Sequence, residues 1–107
     1  MSELIQKYRT RNESRYRNNV TQLIDIVRTK GHKYKQIKCL LRKDEMSYCI
    51  QGLWLKETGG FIYDGGYRKV FRYFSINFSI IMQTLNDDYG WNWNKIADEL
   101  EKGINIQ

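Results

Sequence analysis

The apolar positions of this chain fall into segments of different period. Tyr16, Val20, Leu23, Ile24 and Val27 recur at the spacing of one helix face, which predicts a helix over 14–30. Arg28 and Lys30 suit the negative end of its dipole, and Gly31 stands where a left-handed residue would close it. Leu4, Ile5 and Tyr8 suggest a short turn upstream, cut off by the polar run 9–15. Ile37, Cys39 and Leu41 alternate with Gln36 and Lys38, a short-strand pattern within 34–41. Lys43-Asp44-Glu45 then reads as a turn. Residues 46–57 fit two patterns. Met46, Cys49, Ile50, Leu53 and Trp54 have helical spacing, whereas Tyr48, Ile50 and Trp54 also fit a strand containing Gly52. Length and the Gly59-Gly60 pair lean toward the helix, with Ser47 as its cap.

Phe61-Ile62-Tyr63 and Tyr67 to Phe74 are aromatic and β-branched, and Asp64-Gly65-Gly66 between them supplies positive-φ turn residues. That predicts a hairpin over 61–74, with Arg68 and Arg72 sharing one strand face. Phe78, Ile81, Met82 and Leu85 predict a helix over 77–87, broken by Gly90. The last helix, 92–102, has the clearest start. Asn92 is a good N-cap, Trp91 and Ile96 form a hydrophobic staple, and Trp93, Ile96, Ala97 and Leu100 make the buried stripe. Gly103 is expected to end it. The expected fold is therefore α+β: one small domain over 1–107, with N- and C-terminal helices packed on a small antiparallel sheet or hairpin. Residues 1–13 are expected to form a flexible basic arm.

Composition agrees with a folded core: 41% of residues are apolar, among them three Trp, eight Tyr and four Phe. The apolar runs fall short of the ~20 residues that cross a bilayer, so no membrane is expected as a partner. Ser2 to Arg11 is polar and charged, so no secretory leader is expected. Cys39 and Cys49 then read as free thiols of a soluble intracellular protein.

Charge changes the picture more. The net +6 is unevenly spread: residues 1–43 hold 12 Lys/Arg and 3 Asp/Glu, and residues 44–107 hold 6 and 9. Two segments concentrate the cations and interleave them with tyrosines. One runs from Lys7 through Arg9, Arg11 and Arg15 to Arg17; the other holds Lys30, Lys33, Tyr34, Lys35, Lys38, Arg42 and Lys43. Three readings are open: phosphates neutralised and bases stacked, attraction to an acidic protein surface, or a solvated face that keeps the chain soluble. Candidate partner-binding residues are Lys7, Arg9, Arg11, Arg15, Arg17, Lys33, Tyr34, Lys35, Arg68 and Arg72.

Catalytic chemistry is poorly supplied. His32 is the single histidine, and it stands among Lys30, Lys33 and Lys35 with no carboxylate near it in sequence. Two cysteines ten residues apart and one distant histidine do not make a zinc site. No phosphate-binding glycine loop is present. No cofactor, metal or catalytic residue is assigned. Asp87-Asp88 closes a helix at its unfavourable end, which keeps open a metal-dependent enzyme built on Asn86-Asp87-Asp88. The alternative is that Asn86 and Asp87 bond the inter-helix turn. Residues 77–102 also have the length of a DNA-binding helix-turn-helix, but the exposed set Asn94, Lys95, Asp98, Glu99, Glu101 and Lys102 nets −1, and a recognition helix should be basic.

The set Lys33-Tyr34-Lys35-Gln36, Leu41, Tyr48-Cys49-Ile50-Gln51-Gly52-Leu53, Leu85-Asn86-Asp87-Asp88 with Gly90, and Ile96-Ala97-Asp98-Glu99-Leu100-Glu101 resembles a group of small bacteriophage and bacterial proteins. Those carry a Tyr-x-Gln segment, a Cys-Cys-x-Gly segment and a Leu-Asn-Asp ending followed by an Ile-Ala helix. This chain has one cysteine where the group often has two, and lacks the group's proline before the penultimate helix. The resemblance implies a phage-type accessory protein of the cytoplasm of a bacterial host cell, and with the basic segments and the missing catalytic motifs the expectation is non-enzymatic binding of an anionic partner. Such a protein would inhibit a host defence factor or sequester a nucleotide signal.

Overall fold

The computed structural model describes residues 18–59, 67–74 and 76–105, with backbone alone for 67–69 and 103–105. The first helix, α1, covers 18–30, and its stripe is as the spacing predicts: Val20, Leu23, Ile24 and Val27 are buried, joined by Ile26. Tyr16 lies outside the described residues. Gly31 is not left-handed. It opens a 3₁₀ turn, Gly31–Lys33, and its missing Cβ is what the site requires: a Cβ there would stand 2.8 Å from Nε1 of Trp93.

A three-stranded sheet follows in the order β1-β3-β2. Strand β1 (Lys35–Gln36) runs parallel to β3 (Ser47–Tyr48), and β2 (Arg42–Asp44) pairs antiparallel with β3 through an irregular register. The strand pattern expected over 34–41 therefore survives only at its start. Beyond Gln36 the chain turns at Cys39, whose φ is +67°, and of the alternating set only Leu41 is buried. Lys43-Asp44 belongs to β2, and the turn falls one step later at Glu45-Met46. There Asp44 Oδ1 accepts from the Met46 N–H at 2.8 Å, which holds the Asp44 carboxyl below its usual range.

Both readings of 46–57 are partly realised. Ser47–Tyr48 is strand, and helix α2 runs over Ile50–Glu57. Its cap is Cys49 rather than Ser47, with Sγ accepting from the Gly52 N–H at 3.4 Å. The hairpin expected over 61–74 is overturned where the chain is described: Tyr67–Phe74 is helix α3. Val70 and Phe74, four residues apart, are buried, while Phe71, Arg72 and Tyr73 between them are exposed. Aromatic richness suggests a strand, but the burial period is helical. Phe74 meets Trp54 edge-on at 4.7 Å and stacks on Phe78 at 4.9 Å, so the fold uses these rings as the packing between helices. Phe61-Ile62-Tyr63 and Asp64-Gly65-Gly66 lie outside the described residues.

Helix α4 (Ile76–Gln83) passes into a wider π-helical turn, Thr84–Asp88, closed by the Tyr89 N–H on the Thr84 carbonyl at 3.0 Å. Gly90, at φ +67°, then reverses the chain. Helix α5 (Trp93–Asn105) starts as predicted, with Asn92 Oδ1 accepting from the Lys95 N–H at 2.8 Å, but continues through Gly103. Trp93, Ile96, Ala97 and Leu100 are buried.

The fold is α+β. Its core centres on α2, every residue of which from Ile50 to Leu55 is buried. Trp54 reaches α1 through Nε1 donating to Gln22 Oε1 at 3.1 Å. Ser79 Oγ on α4 donates to Gln51 Oε1 at 2.5 Å, a buried bond that ties α2 to α4. The closest approach is at Gly52, which faces the Leu41 carbonyl so tightly that a Cβ would collide with its oxygen. That contact lets the Cys49 N–H donate to the same carbonyl at 3.3 Å, joining the residue before β2 to the cap of α2. Because the obstacle is backbone, it cannot move aside like a flexible side chain. Gly52→Ala is therefore expected to cost about 3 kcal/mol or more, at the upper end of overpacking. A denaturant midpoint close to the wild-type value would show the contact to be softer than this.

Candidate functional site

The second basic segment is fixed along one line of contacts. At its start, Gly31 packs under the Trp93 ring. In its middle, the Gln36 side chain makes three bonds: Nε2 donates to Asn86 Oδ1 at 2.8 Å and to the Trp91 carbonyl at 2.9 Å, and Oε1 accepts from the Trp93 N–H at 2.7 Å. Further on, the Lys38 ammonium lies over Gly90, 3.1 Å from where a Cβ would be. Residues 31–38 thus lie against residues 86–93.

Asn86 anchors this line. It is 1% exposed, and its amide is fully used. Oδ1 accepts from Gln36 and from the Ile50 N–H at 3.1 Å, and Nδ2 donates to the Ile37 carbonyl and to Asp87 Oδ1, both at 2.8 Å. Two acceptor sites and two donors exhaust what an asparagine side chain offers. Asn86 and Asp87 bond each other at the turn between α4 and α5, but the other three bonds of Asn86 reach β1, Ile37 and the start of α2 rather than the turn itself.

The resulting surface is cationic. Among the described residues, Lys33, Lys35, Lys38 and Lys43 are exposed and make no ion pair. Elsewhere Asp98 and Glu101 are committed. Arg28 on α1 holds Asp98 at 2.9 Å and Glu101 at 2.6 Å on α5, and those contacts, Glu101 first, raise its pKa further. Arg42 stands 3.8 Å from Glu45, a loose and exposed pair.

Of the residues predicted to bind a partner, Lys33 and Lys35 belong to this surface. Lys7, Arg9, Arg11, Arg15 and Arg17 lie outside the described residues, as does the side chain of Arg68. Arg72 is exposed on α3, which packs on α2 and α4, and its guanidinium lies 5.9 Å from the Tyr73 ring centroid. Tyr34 plays a different part from the one expected. Its hydroxyl donates to Glu57 Oε2 at 2.7 Å, and its ring meets Tyr48 edge-on at 5.3 Å. The hydrogen bond to Glu57, with burial, pushes its pKa up to about 12. Tyr34 packs against the core and is not an open stacking platform.

The open aromatic is one that sequence reasoning passed over. Tyr89 is 54% exposed, its ring 5.8 Å from Trp91, and the Lys95 ammonium lies 4.3 Å from the Trp91 ring centroid. The available signal was Tyr89-Gly90-Trp91, two aromatics around a turn glycine, of which only Trp91 was used, as a staple.

No family model, curated protein or solved structure matches this chain. The geometry therefore carries the functional argument alone. For a DNA-reading role of α5, Asp98 and Glu101 are held by Arg28 of α1, so part of the face that would enter a groove is already engaged. Among the described residues no group of three His, Cys, Asp or Glu side chains could hold a metal ion. His32 is exposed in the 3₁₀ turn. A cavity of about 10 Å³, room for about one water, is lined by Cys39, Leu41, Cys49, Gln51, Gln83 and Asp87 among others.

The two thiols differ sharply. Cys39 is exposed, whereas burial pushes the Cys49 pKa up to about 11. At pH 8 one thiol per native chain should react quickly with an aromatic disulfide reagent, and Cys39→Ser should abolish that phase. A fast phase of two thiols would contradict the burial of Cys49. Because the folded pKa of Cys49 is raised above its ordinary value of 9.0, its stabilising share is complete below about pH 9 and fades as pH rises through about 11. Asn86→Ala should cost about 3 kcal/mol by urea unfolding, since it strands the Ile50 N–H and the Ile37 carbonyl in the interior. A loss below about 1 kcal/mol would mean water replaces the amide.

Proposed function

We propose that this protein acts by stoichiometric, non-enzymatic binding of an anionic partner through its second basic segment, with Lys33, Lys35 and Lys38 at the centre. One observation carries the reading. These lysines are exposed and make no ion pair among the described residues, while the carboxylates Asp98 and Glu101 are spent on Arg28. Surface cations without counter-charges form a positive field that draws in anions and weakens with salt. The segment is also backed by rigid structure. Gln36 and Asn86 fix the backbone beneath the lysines, so binding need not order a floppy loop.

Support for binding over catalysis comes from Asn86. Its four hydrogen-bonding positions are occupied within the fold, which leaves it no free group for a reaction at Asn86-Asp87-Asp88. The resemblance to small phage and bacterial proteins supports a setting in a bacterial cytoplasm, where such a binder would block a host defence factor or sequester a nucleotide signal.

The reading predicts strong retention on immobilised heparin, a generic polyanion, with elution at a defined salt concentration. The combined variant Lys33→Glu, Lys35→Glu, Lys38→Glu should elute at markedly lower salt with an unchanged melting curve, since all three positions are exposed. Unchanged retention would reject this segment as the binding surface. Arg72→Glu serves as the comparison, because it makes an equal charge change per residue on α3, and its effect should be small.

A further inference from the structure

We infer that the turn between α4 and α5 is a stacking platform for the bases of single-stranded nucleic acid, with Tyr89 as the open ring and Lys38 and Lys95 as its phosphate contacts. This rests on the anion-binding reading and adds the class of anion.

The argument begins with what the basic segment touches. Lys38 lies over Gly90, and Gln36 bonds both the Trp91 carbonyl and the Trp93 N–H, so Lys38 and the aromatic turn form one surface. Gly90 has two roles there. Its φ of +67° turns the chain so that Tyr89 and Trp91 flank the bend, and its lack of a side chain leaves room for the Lys38 ammonium. Tyr89 is more than half exposed and sits at 64° to Trp91, so the two rings form a corner rather than a closed stack. Lys95 covers Trp91 at 4.3 Å, which leaves Tyr89 as the free face.

An exposed ring beside ammonium groups that make no ion pair among the described residues is what an unpaired nucleotide strand uses: bases stack on the ring and phosphates lie on the cations. An acidic protein surface would use the lysines and gain little from Tyr89. A duplex hides its base faces and would likewise leave the ring unused. Asp88, exposed and next to Tyr89 in the chain, repels phosphate, so the uncharged base is the part of a bound strand suited to Tyr89, with its phosphates on Lys38 and Lys95.

The test is fluorescence anisotropy at low salt with three probes: an oligothymidylate of about twelve nucleotides, an abasic strand of equal length, and a blunt duplex. The expected result is about tenfold tighter binding to oligothymidylate than to the abasic strand, a margin of the size one stacked base gives. Tyr89→Ala should remove that margin and leave the abasic affinity unchanged. Lys38→Gln with Lys95→Gln should weaken both single strands. Equal affinity for the thymidylate and abasic strands, equal or tighter binding of the duplex, or no effect of Tyr89→Ala would each overturn the inference. In those cases heparin retention that still depends on Lys33, Lys35 and Lys38 would leave the anion-binding reading standing. Loss of that dependence would remove the reading itself.

Discussion

The buried amide of Asn86 is the constraint on which the rest depends. It joins three parts of the chain far apart in sequence: the exit of β1 at Ile37, the start of α2 at Ile50, and the turn that leads into α5. A polar group buried this deeply stabilises only if every donor and acceptor is satisfied, and here each one is. Such a network tolerates a single arrangement of its neighbours. That fixes where the basic segment runs, because Gln36 and Ile37 can satisfy Asn86 only with β1 beside residues 86–93.

The π-helical turn is what brings Asn86 to that place. In a regular helix continuing α4, each residue advances by a fixed angle. The wider turn over Thr84–Asp88 changes that phase, and it leaves both Leu85 and Asn86 buried while Asp88 and Tyr89 face outward. Wide turns of this kind recur at functional positions. Here the same turn supplies the fold with its polar anchor and the surface with its exposed ring.

Legibility in the sequence followed the range of the interactions. Helices α1 and α5 were readable because their stripes, and the Asn92 cap of α5, are local features a few residues apart. The strands were not. Each is two or three residues long and owes its existence to partners such as Met46 and Tyr48, whose carbonyls accept from Lys35 and Ile37. Helix α3 was misread because its aromatic content suits a strand, while its burial is decided by Trp54 and Phe78. At the surface, the cations Lys33 and Lys35 were visible as letters. That they make no ion pair among the described residues was not, since it depends on where the fold puts the carboxylates, as when it brings Asp98 and Glu101 to Arg28 across about seventy residues. Tyr34 was assigned to the surface for the same reason: Glu57, which takes its hydroxyl, is 23 residues distant.

The unequal setting of the three indoles makes the chain its own optical reporter. Trp54 and Trp93 are 1% and 6% exposed, shielded from solvent relaxation, whereas Trp91 is partly exposed beneath the Lys95 ammonium. The red edge of the native emission band therefore belongs chiefly to Trp91. Whatever displaces that ammonium or covers that ring will change the colour and yield of the light emitted, with no dye attached.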